Sequence, residues 1–161
     1  MALVYLSLGS NLGDRDKYLM EARRAVEKSF SFVRFSKVYE TEPVDIKDQP
    51  WFLNQVAEVQ TDLPPDSLLE LIRALENRHG RQRETPKGPR TLDVDILLYD
   101  DWVMEGSDLI LPHPRLAQRR HVLVPLTELA PEKWLPISEL SVQDALERVK
   151  DLSQVRPHAS T

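Results

Sequence analysis

Apolar residues recur at alternate positions over residues 4–8 and stop at Gly9-Ser10-Asn11, which predicts a strand ending in a turn. Over about 14–29 the period becomes helical. Leu19, Ala22 and Val26 form the apolar stripe, and Asp14 and Asp16 suit the helix amino terminus. Residues 32–44 read as one strand running into a proline-containing loop, and 51–63 as another. In the latter, Phe52, Asn54 and Val56 share one parity while Leu53, Ala57 and Val59 share the other, which suggests a bulge or a misplaced boundary. Pro65 and Asp66 open a second helix with the stripe Leu68, Leu69, Ile72 and Leu75, and Gly80 is its expected stop. Glu76 continues that stripe, so a carboxylate is expected at an inward position. After a strand at 92–98 come a hairpin-like piece (102–111), a proline-rich turn (112–115) and short helices near 122–129 and 142–150. The tail 151–161 is expected to fray. The order βαββαβ followed by extra helices predicts one α+β domain over 1–161. Its expected form is a ferredoxin-like sheet covered by helices on one side, with additional C-terminal helices.

Composition narrows the class. With 41% hydrophobic and 29% charged residues and only five glycines, the chain belongs with ordinary globular domains. The lack of cysteine excludes disulfides, thiol nucleophiles and thiolate metal sites. No run approaches the roughly 18 apolar residues of a membrane span. The apolar start MALVYLSLGSN lacks the basic flank and cleavage site of a secretory leader, so a cytoplasmic location is expected.

One stretch resists a purely structural reading. In KGPRTLDVDILLYDD (87–101), Leu92, Val94, Ile96 and Leu98 alternate as a strand should, yet Asp93 and Asp95 occupy the opposite face. Residues two apart in a strand lie roughly 6.5–7 Å apart on one side, so the two acids repel unless something compensates. A divalent cation does so, and hard oxygen ligands without cysteine suit Mg²⁺. A solvent-facing strand with two acids is the bland alternative. The net charge of −5 argues against nucleic-acid binding by the whole surface, but the charge is uneven. Arg73, Arg78, Arg81, Arg83, Lys87 and Arg90 stand against only Glu76 and Glu84, and Arg115, Arg119 and Arg120 form a second cluster. Carboxylates for metal beside guanidiniums for phosphate is the equipment of ATP chemistry, without a GxxxxGK[ST] phosphate loop. The residues alone leave open a Mg²⁺-dependent phosphoryl or nucleotidyl transferase and a ferredoxin-like nucleic-acid-binding module. Against the last stands the lack of an aromatic run on a strand.

Four blocks in order, LGSNLGDR, DQPWFLNQV, GPRTLDVDILLYDD and LPHPRL with RRHVLVPLTELAP, resemble the 6-hydroxymethyl-7,8-dihydropterin pyrophosphokinase family of folate biosynthesis. The resemblance covers about residues 2–140 and implies the ferredoxin-like fold. It further implies transfer of pyrophosphate from the co-substrate ATP to the pterin hydroxymethyl oxygen, with release of AMP. It assigns Asp93 and Asp95 to two Mg²⁺ ions, and Arg81, Arg83 and Arg90 to the phosphates. Arg81, Arg83, Arg90 and Asp95 are the expected catalytic residues. His113 and Arg119 join the phosphates, Glu76 lies near the nucleotide and Ile96 flanks the adenine. Gly9, Thr41, Pro43, Val44, Phe52 and Asn54 fall on the pterin pocket. His121 stands where members often carry an aromatic that stacks on the pterin. Lys87 replaces an aromatic before GPR, Pro114 one after the histidine, and Glu42 a proline. The chain is expected to act as a monomer on small molecules, away from membranes, with loops 41–50 and 81–87 closing over ATP.

Overall fold

The computed structural model describes residues 1–44, 46–78 and 92–159. Strand β1 (Ala2–Ser10) leads into helix α1 (Arg15–Ser29), whose cap Asp14 accepts from the Lys17 N–H at 3.1 Å. The expected second strand is two: β2 (Phe32–Phe35) and β3 (Tyr39–Thr41). Both pair with β4 (Phe52–Thr61). Ser36 causes the break. It is buried, its N–H bonds to the Val56 carbonyl at 2.9 Å and its hydroxyl accepts from the Val56 N–H at 3.0 Å. Helix α2 (Pro65–Arg78) precedes β5 (Asp93–Tyr99). Short strands β6 (Met104–Glu105) and β7 (Ile110–Leu111) pair, as do β8 (Trp134–Leu135) and β9 (Leu140–Ser141). Helix α3 (Arg120–Leu129) and helix α4 (Val142–Arg148) occupy the C-terminal third.

The main sheet is antiparallel in the order β10-β3-β4-β1-β5, where β10 is Val155–Pro157. The tail expected to fray from residue 151 therefore pairs as an edge strand. Nor do helices cover one side only. Leu19, Ala22 and Val26 of α1 and Leu68, Ile72 and Leu75 of α2 pack with Val4, Leu6, Leu8, Leu53, Ala57 and Val59. On the opposite face, Val122, Leu123, Leu126 and Leu129 of α3 and Val142 and Ala145 of α4 pack with Tyr5, Val56 and Leu97. The two parities of β4 serve these two cores, and its register against β1 runs unbroken from Leu53 to Thr61. No bulge is needed there.

The bulge lies in β5. Leu6 pairs with Ile96 and Tyr5 with Leu98, so Leu97 has no counterpart in β1. Leu92, Val94 and Ile96 join the α1/α2 core, but Leu98 crosses to the α3/α4 core and Tyr99 takes the first side again. The expected alternation thus fails at its last member. Two polar ties fasten α3 to the sheet. The Tyr39 hydroxyl donates to Glu128 at 2.8 Å, and Arg34 donates to the Leu129 carbonyl at 2.7 Å.

Candidate active site

The α3/α4 side of the sheet is only partly covered, and its open end is lined by polar residues. Register explains why they meet. Gly9 of β1 pairs with Asn54 on one side and with Asp93 on the other, while Ser7 pairs with Val56 and Asp95. Thr41 pairs with Phe52. Side chains directly opposite in adjacent strands share a face, so these positions project together. A cavity there is lined by Gly9, Thr41, Pro43, Val44, Phe52 and Asn54, and also by Asp93, Asp95, His113, Arg119 and His121. Eleven residues predicted from the sequence are thereby brought together.

Asn54 is buried, and its Nδ2 donates to Thr41 Oγ1 at 2.5 Å. That bond fixes the carboxamide plane. Gly9 is required beside it, because a Cβ built there would stand 2.7 Å from Asn54 Oδ1. Asp93 is half-buried and Asp95 exposed at the cavity wall. Between them the Val94 N–H, on the outer edge of β5, donates to Glu76 Oε2 at 2.9 Å. Glu76 is 4% exposed and lines neither this cavity nor the next. It braces the strand that carries the two aspartates.

His113 enters from the turn after β7. Its N–H donates to the carbonyl of Leu97, the bulged residue, at 2.9 Å. Its Nδ1 accepts from the Arg115 N–H at 3.2 Å, so the neutral ring carries its hydrogen on Nε2. Burial, then the charge of Arg119, pulls its pKa below 6.5; Asp93 opposes the shift and Arg115 adds to it. The ring is therefore a neutral donor at pH 7.

A second cavity adjoins the first. It is lined by Ile96, Leu69, Leu109 and Ile110, with Ser107 and Asp108 at its polar side, and it shares Asp95 and His113 with the first. Arg81, Arg83 and Arg90 lie outside the described residues. Sequence reasoning missed Ser7, Gln49 and Leu97 in the lining, and Asn11 behind it. Asn11 is 1% exposed and donates to Gln49 Oε1 and the Pro50 carbonyl, both at 2.9 Å, which ties Gln49 and Pro50 to the end of β1. The one available signal was Ser7, a polar residue on the same parity as Gly9. Among the described residues no group of three or more acidic, histidine or cysteine side chains is arranged to hold a metal, and no helix is long and apolar enough to cross a membrane.

Comparison with known proteins bears on this constellation. The model of the 7,8-dihydro-6-hydroxymethylpterin-pyrophosphokinase (HPPK) family matches residues 5–131. A 2-amino-4-hydroxy-6-hydroxymethyldihydropteridine pyrophosphokinase of Bacillus subtilis is 45% identical over 129 residues, 79% of this chain and 77% of that protein. One from Aquifex aeolicus is 41% identical over 137 residues, 85% of this chain and 86% of that protein. The folic acid synthesis protein fol1 of Pneumocystis carinii is 39% identical over 149 residues, 92% of this chain, but the match spans only 20% of that longer protein. Among solved structures, Plasmodium falciparum HPPK-DHPS superposes with a TM-score of 0.72 at 17% identity, over 92% of this chain and 43% of that one. At that identity the likeness speaks for the fold, a mixed layering of helices on an antiparallel sheet.

Proposed function

Because the chain belongs to the 7,8-dihydro-6-hydroxymethylpterin-pyrophosphokinase family, we propose that it transfers pyrophosphate from ATP to the hydroxymethyl oxygen of 6-hydroxymethyl-7,8-dihydropterin, a step of folate synthesis. The observation that carries this reading is the meeting of two unlike cavities at Asp95 and His113. The polar one suits the pterin. With one amide hydrogen of Asn54 committed to Thr41, its Oδ1 and second hydrogen match the acceptor-and-donor edge of the heterocycle. Phe52 and His121 offer faces for stacking. The apolar one, with Ile96 in its wall, suits the adenine. The triphosphate then runs between them.

Asp93 and Asp95 fit Mg²⁺, which takes one or two carboxylates and completes its shell with waters and substrate phosphates. Two ions are expected along the triphosphate; when bound they would neutralise its oxygens. The chain's own contribution is positional. Arg119 and His113 line the polar cavity, and through the family pattern they are assigned, with Arg81, Arg83 and Arg90, to the phosphates. Glu76 supports the nucleotide end through the backbone of β5. The pterin hydroxyl oxygen bonds to the β-phosphorus, the bridge to the α-phosphate breaks, and AMP leaves as the hydroxyl proton is released. Alignment and charge neutralisation carry the rate, with no residue assigned as general base. The order β3-β4-β1-β5, with α1 and α2 as crossovers, supports a ferredoxin-like assignment of the sheet.

The test is product analysis. Incubated with ATP, Mg²⁺ and the hydroxymethyl pterin, the protein is expected to form AMP and the pterin diphosphate in equal amounts. Formation of ADP instead would show single phosphoryl transfer and sink the reading.

A further inference from the structure

The C-terminal segment beyond α4 touches both walls of the polar cavity. On one wall, the Gln154 N–H donates to Glu42 Oε1 at 3.1 Å, and the Glu42 N–H donates to the Gln154 carbonyl at 3.0 Å. Val155 then pairs with Thr41, the residue that fixes the Asn54 carboxamide. Glu42 and Thr41 both line the cavity. On the other wall, Asp151 Oδ2 accepts from the N–H of Arg120 at 3.0 Å. Arg120 opens α3 between Arg119 and His121, which also line the cavity. The same Asp151 side chain takes the Ser153 N–H at 2.9 Å, which turns the chain from α3 toward β3.

The far end is locked. The Arg156 Nε donates to Glu40 Oε1 at 3.0 Å, and its guanidinium lies 4.7 Å from the centre of the Trp51 ring. Glu40 Oε2 also takes Arg15 at 3.0 Å, and Arg15 donates to the Trp51 carbonyl at 2.9 Å. One cluster thus joins the tail, β3, α1 and the residue before Phe52. The His158 N–H adds a bond to the Val38 carbonyl at 2.9 Å.

We propose that residues 151–158 are a positioning strap that holds the two walls of the polar cavity at the spacing the heterocycle requires. The proposal rests on the assignment of the pterin to that cavity. An edge strand that merely stabilised the sheet would bond to β3 alone. This one is also bonded to α3, and its contacts fall on residues next to the lining. The apolar cavity, to which the adenine is assigned, shares none of the strap's partners, so the effect falls chiefly on the pterin.

The experiment uses the full chain with Asp151→Ala and Arg156→Ala together. Arg156 has a side chain 60% exposed, so the fold is expected to persist. Affinity is read separately for the pterin, by its own fluorescence, and for a non-hydrolysable ATP analogue, by calorimetry, alongside melting temperature. The expected result is pterin binding weakened about tenfold, with the ATP analogue within twofold of wild type. Arg156→Lys, which keeps the charge, should recover part of the loss when Asp151 is intact. Equal weakening of both ligands, or no change in pterin binding, would overturn the strap. Absence of pterin binding by the wild-type chain would instead overturn the substrate assignment on which it rests.

Discussion

At the scale of single residues, the site is built from side chains that break the rules of the elements they occupy. Asp93 and Asp95 were legible because acids are disfavoured in strands, and Asn54 for the same reason. Gly9 was legible only through the block around it, since a glycine before a turn is ordinary. Ser7 offered only its shared parity with Gly9, and Asn11 offered nothing: a serine in a strand and an asparagine in a turn violate no rule, and their importance arises from strands paired far along the chain. Gly9→Ala forces the Asn54 amide to turn away from Thr41, because the new Cβ meets Oδ1 at 2.7 Å. The loss of a buried hydrogen bond is about 1–3 kcal/mol, so KM for the pterin should rise by about fivefold or more while KM for ATP holds. Steady-state kinetics in each substrate checks it. His113 carries a pH dependence of definite sign. Burial and then Arg119 lower its pKa in the folded chain from 6.5. As pH falls below about 6.5, the unfolded chain takes up a proton that the folded site resists, so native stability is full above that pH and declines below it. The melting-temperature difference between wild type and His113→Gln should therefore shrink or reverse in acid; a difference constant with pH would contradict the buried neutral ring.

At the scale of elements, periodicity found α1, α2, β1, β4 and β5 within a few residues, because each has a face against a core. It failed where tertiary partners decide. Residues 32–44 break at Ser36 because Val56 in β4 offers that residue both a donor and an acceptor. Leu98 lies opposite its expected side because Leu97 is an extra residue against β1. The tail becomes a strand because β3 presents an unpaired edge to it, a fact absent from its own composition. Glu76 shows the converse. Its place on an apolar stripe was read correctly, but its partner, the Val94 N–H, could not be named from the helix alone. Glu76→Leu removes that acceptor and should cost about 1–3 kcal/mol in urea unfolding. Glu76→Gln, which keeps an oxygen in place, should cost less. The leucine variant should also lower kcat, because the strand carrying Asp93 and Asp95 loses its outer brace.

At the scale of the molecule, the sheet separates two cores of different purpose. The α1/α2 side is apolar, and the apolar cavity lies against it at the β5 edge, beside Leu69, Val94 and Ile96; the α3/α4 side opens into the polar cavity. The order of elements predicted the first layer. The helices of the second, α3 and α4, were read close to their observed places, but the face they cover was not, because they follow the last predicted sheet strand. Gln49 borders this open end, and the Pro50 and Trp51 carbonyls beside it are held by Asn11 and Arg15. Ligand should tighten it: amide exchange at residues 46–50 is expected to slow when the ATP analogue and the pterin are both bound. Unchanged exchange would remove loop closure from the mechanism.

The pairing of Gly9 with Asn54 on one flank and Asp93 on the other has a consequence for how this catalyst can be reused. The interval from Asn54 to Asp93 is two interstrand steps, about 9–10 Å by the general spacing of β-sheets. It is a ruler made of backbone hydrogen bonds, and no loop length enters it. Segments can lengthen or shorten around the sheet, or the whole unit can be part of a chain about five times its size as in the fungal relative, without recalibrating that distance.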